Sequence, residues 1–254
     1  MIDLHSHVLP GIDDGAETLE GSLEILRAAA ESGIAQIAAT PHVRDDYPTT
    51  PETMERGVAD LNAAARAAGV AVEVLTGGEL DRAFAQKLDD ETLRRYGLGG
   101  SLDALLVEFP YTGWPLELRD LVFRLGARGF RVVLAHPERN GEVQQSPGRV
   151  RELVDAGVLV QLTAASLDGR GGRKAAACAR TLLDEELAHL IATDAHAPAI
   201  RAVGMNAAVE AVGDADLARW LTHDVPSALV TGSPLPPRPQ RRARRLRLHR
   251  RSPD

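Results

Sequence analysis

The sequence predicts an α/β fold built on a parallel β-sheet, and three features point to it. Short apolar or β-branched runs alternate with amphipathic runs seven times along the chain. Threonine, proline and glycine mark where the amphipathic runs start and stop. Metal-competent side chains recur at the ends of the short runs. Strand and helix alternating in this way specify parallel strands joined by right-handed crossovers, either as an open doubly wound sheet or as a closed barrel. A glycine-rich dinucleotide loop or a P-loop lysine motif would favour the open sheet, and the chain has neither.

Ile2 to His5 reads as the first strand. Thr18 through Ser32 reads as a helix with Leu19, Leu23, Leu26 and Ala30 on one side and Gly33 as its stop. Ile34 to Thr40 is the second strand. Thr50 then caps a helix with Pro51 in its first turn; Met54, Val58, Leu61 and Ala65 form the apolar stripe and Gly69 ends it. Val70 to Leu75 is the third strand. A helical stretch from Asp81 to Arg95 leads to strand four, Asp103 to Glu108, and Pro115 to Arg128 leads to strand five, Arg131 to Ala135. Arg149 to Ala156 leads to strand six, Val158 to Leu162, and Arg173 to Leu187 leads to strand seven, His189 to Thr193. Two shorter helical pieces follow, Asn206 to Val212 and Asp214 to Leu221.

A chain of 254 residues can bury roughly 70–75% of its unfolded surface as one large domain. Aromatics make up only 4%, so the core must come from Leu, Val, Ile and Ala. No apolar run is long enough to cross a bilayer, and residue 2 already opens a strand, so a soluble cytoplasmic protein without a cleaved leader is expected. The single cysteine, Cys178, sits in an alanine-rich helical pattern and reads as a small buried thiol. Asp184, not arginine, stands six positions on, which excludes a cysteine-nucleophile phosphatase loop.

The net charge of −7 conceals a split. Before residue 234 lie 21 of the 29 basic and 35 of the 36 acidic side chains, a net of −14. Such a body argues against nucleic-acid binding by the folded part. From Pro234 the chain turns proline-rich and then arginine-rich, so residues 1–233 are read as the domain and 234–254 as a disordered basic tail.

In a parallel barrel the C-terminal strand ends share one rim, where active sites assemble. His5 and His7 end strand one, and the period of two points both imidazoles the same way. The turn residues that follow, Asp13, Asp14 and Gly15, bring carboxylates back over the same spot. His42 ends strand two, Glu79 follows strand three, Glu108 ends strand four and His136 strand five, and Asp194 and His196 end strand seven. Imidazole and carboxylate donors without thiolate suit a catalytic cluster of Mn, Fe, Co or Zn. The set is too large for one ion, and a bridging carboxylate such as Glu79 would let two ions share a hydroxide, the nucleophile such sites make at neutral pH. His189 opens strand seven at the opposite rim, and His223 and His249 fall in the terminal region; these three are read as structural or surface histidines.

With Asp3-Leu4-His5-Ser6-His7, Thr40-Pro41-His42, Gly78-Glu79, Glu108, His136-Pro137-Glu138-Arg139 and Asp194-Ala195-His196 in that order, the chain resembles the PHP (polymerase and histidinol phosphatase) superfamily. The Leu-Pro-Gly-Ile-Asp-Asp-Gly continuation and the His-Pro-Glu-Arg run resemble its capsule and exopolysaccharide tyrosine phosphatases, over about residues 1–231. The resemblance implies a distorted seven-stranded (β/α) barrel, TIM-barrel-like, with three metal ions, usually manganese. It implies that His5, His7, Glu79 and Asp194 hold the first ion, that Glu79 bridges to a second completed by Glu108 and His136, and that Asp14, His42 and His196 hold the third. Arg139 and Arg201, each just beyond a ligand motif, match the family's phosphate-binding arginines, and Arg139 is not expected to hold the ions. The implied substrate is a phosphotyrosine protein, a bacterial tyrosine kinase or related protein of capsule synthesis. Where the family often shows Asn-Pro, this chain has Val225-Pro226, and the arginine-rich tail lies outside the pattern. Two other readings are a phosphatase of small esters such as histidinol phosphate, with the same metals and a different rim, and a nucleic-acid-associated protein acting through the tail.

Overall fold

The structure, a computed structural model, describes residues 1–196 and 203–240. Among these the strands are β1 (Ile2–Ser6), β2 (Gln36–Ala39), β3 (His42–Arg44), β4 (Tyr47–Pro48), β5 (Glu73–Leu75), β6 (Glu79–Asp81), β7 (Ala104–Glu108), β8 (Arg131–Leu134), β9 (Leu159–Thr163) and β10 (Leu190–Ala192). Each of the seven expected runs holds one of them. The other three, β3, β4 and β6, are additions of two or three residues.

The hydrogen-bonded order is β1-β2-β5 in one sheet and β10-β9-β8-β7-β6-β3-β4 in the other. These are two parts of one barrel. β3 resumes the path of β2 after Thr40-Pro41, and β6 resumes that of β5 after Thr76-Gly77-Gly78. In both parts the same neighbours stay paired, β2 with β5 and β3 with β6. At the other edge β1 meets the end of β10, where His7 N donates to Ala195 O and Asp194 N to His5 O, both at 2.8 Å. Seven parallel staves therefore close the barrel, two of them kinked, and the β3–β4 hairpin is antiparallel. Pro41 has no N–H for the ladder and the Gly77-Gly78 pair has no side chain to pack, so the ladders break at those points. Both short strands beyond the breaks carry site residues, His42 and Glu79.

The helices are α1 (Leu19–Glu31), α2 (Pro51–Ala67), α3 (Arg82–Lys87), α4 (Asp90–Arg95), α5 (Leu118–Ala127), α6 (Gly141–Gln145), α7 (Arg151–Asp155), α8 (Ala164–Leu167), α9 (Arg173–Asp184), α10 (Met205–Val212), α11 (Ala215–Arg219) and α12 (Val225–Val230). The expected caps are in place: Thr18 Oγ accepts from Gly21 N and Thr50 Oγ from Thr53 N, both at 3.2 Å. The stretch expected as one helix from Asp81 to Arg95 is two. Asp89 accepts from Thr92 N at 2.8 Å and starts α4, while Leu88 is extended; an aspartate offers the backbone a capping bond that competes with continuing the helix. The expected helix from Asp214 to Leu221 widens after Arg219, through Trp220–Asp224, and passes into α12. Pro226, in the first turn of α12, lacks the N–H that a regular α-helical ladder would need there.

The core is aliphatic, with Leu4, Ile37, Leu80, Leu105, Val133, Val160 and Leu190 among its fully buried side chains. No helix among the described residues is long and apolar enough to cross a membrane. His189 is largely buried, and its Nδ1 accepts from Val160 N at 3.2 Å. Burial, and then the nearby Arg238, lower its pKa to about 4. His223 is exposed and pairs with Asp224; His249 lies outside the described residues.

Residues 234–240 lack regular secondary structure but lie against the body, seven residues past the expected boundary. Trp220 Nε1 donates to Pro236 O at 3.0 Å, Arg238 Nη1 donates to Ala188 O at 2.5 Å, and the Arg238 guanidinium sits 5.0 Å from the Trp220 ring centroid. An indole N–H seeks a partner, and this segment supplies one. A chain shortened to end at Ser233 is expected to fold but to lose about 1–3 kcal/mol of stability, from the unpaired indole and the lost stacking. One ending at Gln240 is expected to match the full chain. Denaturant melts of the three proteins check this, and equal stability for the Ser233 form would remove the segment from the fold.

Candidate metal centre

β1 and the turn after it set the floor of the site. Asp3 pins β1 to β10, accepting from Thr193 N at 3.0 Å and Thr193 Oγ at 2.5 Å. The loop after His7 then folds back so closely that a Cβ on Gly15 would lie 2.2 Å from His7 O. Only glycine fits there. The fold-back separates the two aspartates that the sequence leaves open. Asp13 turns inward, and its Oδ2 accepts from His7 Nδ1 at 2.6 Å and from His42 N at 3.0 Å. Asp14 turns toward the rim, its Oδ1 3.3 Å from both His42 Nε2 and His196 Nε2. Asp13 thus orients an imidazole, and Asp14 offers its own oxygen to the cluster.

All nine expected ligand residues meet at the C-terminal rim. His5 Nε2 lies 3.3 Å from His7 Nε2, and each nitrogen lies 3.4 Å from an oxygen of Glu79 and from Asp194 Oδ1. Ligands about 2.1 Å from a tetrahedral ion stand about 3.4 Å apart, so this spacing suits a shared cation. His136 Nε2 lies 2.9 Å from Glu79 Oε1 and 4.0 Å from Glu108 Oε1. His42 Nδ1 and Glu79 Oε2 are buried and 2.8 Å apart, yet neither has a hydrogen bond. A buried imidazole–carboxylate contact without a hydrogen bond recovers little of its desolvation cost, and a cation held between such donors offsets it. The donor set therefore fits divalent metal ions.

The electrostatics point the same way. Burial pulls the His42 pKa down, but Asp14 and Glu79 outweigh it and hold the imidazole at about 9. His7 is raised well above its ordinary value against burial, by Asp13, Asp194 and Glu79. Burial and the neighbouring Glu79 push Glu108 up to about 7. The pocket demands positive charge, and protons supply it where metal does not.

Two of the expected ligand residues sit on backbone that L-residues rarely adopt: His136 has φ 33° and Asp194 φ 52°, each just after a barrel strand. Such conformations cost about 1–3 kcal/mol each and persist where the surroundings over-determine them. The sixth barrel strand, β9, carries no ligand but contributes Gln161, whose Oε1 lies 3.0 Å from His5 Nδ1 and accepts from His136 N at 3.3 Å. Sequence reasoning missed Gln161; its register in β9, one strand from His136, was the available signal.

Arg139 follows its ligand motif as expected, but its position differs in one respect. Its Nη1 donates to Asp194 Oδ2 at 2.5 Å, so it holds one of the expected ligand carboxylates and is coupled to the cluster. Arg201 lies outside the described residues. Cys178 is buried near Val143 O, and burial raises its pKa to about 12, so the thiol stays protonated.

A closed parallel barrel with an imidazole–carboxylate cluster at its C-terminal rim defines a metal-binding (β/α) barrel protein. Residues 1–229 match the capsular polysaccharide synthesis family CpsB/CapC. The chain is 34% identical over 197 residues to the tyrosine-protein phosphatase YwqE of Bacillus subtilis, covering 77% of each chain. It is 31% identical over 199 residues to the putative tyrosine-protein phosphatase CapC of Staphylococcus aureus, again 77% of each. A solved structure among those of YwqE from Bacillus subtilis and CpsB from Streptococcus pneumoniae, described as unique metal-dependent tyrosine phosphatases, superposes with a TM-score of 0.85 at 29% identity. That match covers 95% of this chain and 100% of the other. The chain belongs to the CpsB/CapC family, within the PHP-type resemblance its motifs carry.

The raised pKa of His42 makes ion binding at this cluster depend on pH. Below about 9 this imidazole is protonated in metal-free protein, so an ion binding there displaces a proton. Manganese affinity is therefore expected to rise as pH climbs from 6 to 9, with at least one proton released per protein at pH 7. Calorimetric titration in two buffers of different ionisation enthalpy measures the release, and none would contradict the assignment.

Proposed function

We propose that the chain is a metal-dependent protein-tyrosine phosphatase of capsule or exopolysaccharide synthesis, acting in the cytoplasm on a phosphotyrosine protein such as a bacterial tyrosine kinase. The observation that carries the reading is the rim cluster itself: nine ligand-type side chains with Arg139 against one of them, in a chain of the CpsB/CapC family. Three divalent ions, manganese by resemblance, would be held by His5, His7, Glu79 and Asp194, by Glu79, Glu108 and His136, and by Asp14, His42 and His196. When bound, the ions supply the Lewis acidity and the activation of water that phosphate monoester hydrolysis requires.

The chain's own residues do the rest. Phosphoryl transfer is dominated by neutralising charge on the phosphoryl oxygens, and the planar guanidinium of Arg139 can pair two of them. The leaving group is a phenolate of pKa about 10, a better one than a serine alkoxide, so a strong general acid is dispensable. No side-chain nucleophile is used. The small-ester and nucleic-acid readings gain no support from the comparisons, which name tyrosine phosphatases.

Exhaustive chelation is expected to abolish turnover of a phosphotyrosine peptide and manganese to restore it, while Cys178→Ala turns over like wild type. Arg139→Ala, assayed at saturating manganese, is expected to lower kcat/KM by about 10²–10³-fold with metal content unchanged. Activity that survives chelation, or a wild-type rate in Arg139→Ala, would overturn the proposal.

A further inference from the structure

Two arginine–tyrosine pairs flank the ligand cluster, Arg139 with Tyr111 and Arg44 with Tyr47. Arg139 lies 4.7 Å from the Tyr111 ring centroid, and Tyr111 leans on the ring of His136 at 5.8 Å. The second pair is Arg44 and Tyr47. Arg44 lies 5.2 Å from the Tyr47 ring centroid, and Tyr47 stacks on His42 at 5.8 Å with 19° between the rings. Just as Arg139 contacts Asp194, Arg44 Nη1 lies 3.4 Å from Glu108 Oε2. Each guanidinium therefore touches a carboxylate of the cluster, and each tyrosine braces one of its imidazoles.

The short strand β3 produces this arrangement. His42 and Arg44 are two residues apart, so both side chains leave the same face and Arg44 reaches the cluster that His42 helps to build. The guanidinium is not fully used there. Its Nε lies 2.8 Å from Asp46 Oδ1 but out of line for a hydrogen bond, and it remains a buried donor without one. The 3.4 Å contact to Glu108 is long for an N–H···O bond. A permanently charged fork fixed against an aromatic ring, ion-paired to Asp46 through Nε and only loosely to Glu108 through Nη1, keeps its remaining N–H donors for the oxygens of an incoming anion.

We propose that Arg44 is a substrate-contacting residue that binds a phosphoryl oxygen of the phosphotyrosine from the Glu108 end of the cluster, as Arg139 does from the Asp194 end. The assignment rests on the phosphatase reading for its substrate, but its test does not depend on turnover alone. The probe is inorganic phosphate, titrated calorimetrically into manganese-loaded wild type, Arg44→Ala and Arg44→Lys, with metals counted by elemental analysis. Arg44→Ala is expected to bind phosphate at least about 10-fold more weakly and to lose about 10²-fold in kcat/KM on a phosphotyrosine peptide, at full metal content. Arg44→Lys keeps the charge without the fork and is expected to recover only part. Wild-type phosphate affinity in fully loaded Arg44→Ala would overturn the proposal. So would a variant that loses metal and regains wild-type phosphate affinity in excess manganese, because Arg44 would then only position Glu108. A wild type that binds phosphate yet turns over no phosphotyrosine would instead sink the phosphatase reading, and the calorimetric comparison would still judge Arg44.

Discussion

A single buried carboxylate, Glu79, is the constraint around which the site is arranged. It is 1% exposed, and its two oxygens face four imidazoles: Oε1 lies near His136 and His5, Oε2 near His42 and His7. An unpaired charge at that depth would cost several kcal/mol, so the carboxylate must be surrounded by cations or by groups that hold them. Four more carboxylates, of Asp13, Asp14, Glu108 and Asp194, crowd the same rim against the guanidiniums of Arg44 and Arg139. That imbalance keeps His7 and His42 charged in the protein alone and makes divalent ions the natural occupants.

The barrel is distorted where the cluster needs it to be. The breaks at Pro41 and at Gly77-Gly78 divide two staves, and the pieces beyond them carry His42 and Glu79, which pair directly across the ladder. Around the expected ligands lies a layer that aims them: Asp13 on the His7 ring, Gln161 on the His5 ring and the backbone N–H of His136, and Asp3 tying β1 to β10. Such outer partners fix imidazole tautomer and orientation and raise ligand basicity. The left-handed backbone at His136 and Asp194 is a local cost that this frame sustains.

Seven strands with helices between them were legible because parallel strands read as near-continuous apolar runs, and Leu105, Val133, Val160 and Ile191 are buried accordingly. The ligand-type residues were legible because barrel topology delivers every C-terminal strand end to one rim. β3 and β6 escaped notice because three-residue strands after a proline or paired glycines leave no periodicity to read. Arg44 escaped with β3, since its face could be assigned only once the strand was known. The choice between Asp13 and Asp14 depends on how tightly the loop returns at Gly15, and the docking of Pro236 on Trp220 depends on a tertiary partner. Neither leaves a trace in local pattern.

The proposed ion sites require Glu79 to be shared between ions rather than paired with protonated histidines. Anomalous diffraction at the manganese edge from crystals of metal-loaded protein addresses it directly. Separate peaks are predicted on the two sides of Glu79, one among His5, His7 and Asp194 and one beside Glu108 and His136, with a third at Asp14, His42 and His196. A single peak that leaves one Glu79 oxygen facing only imidazoles would contradict it.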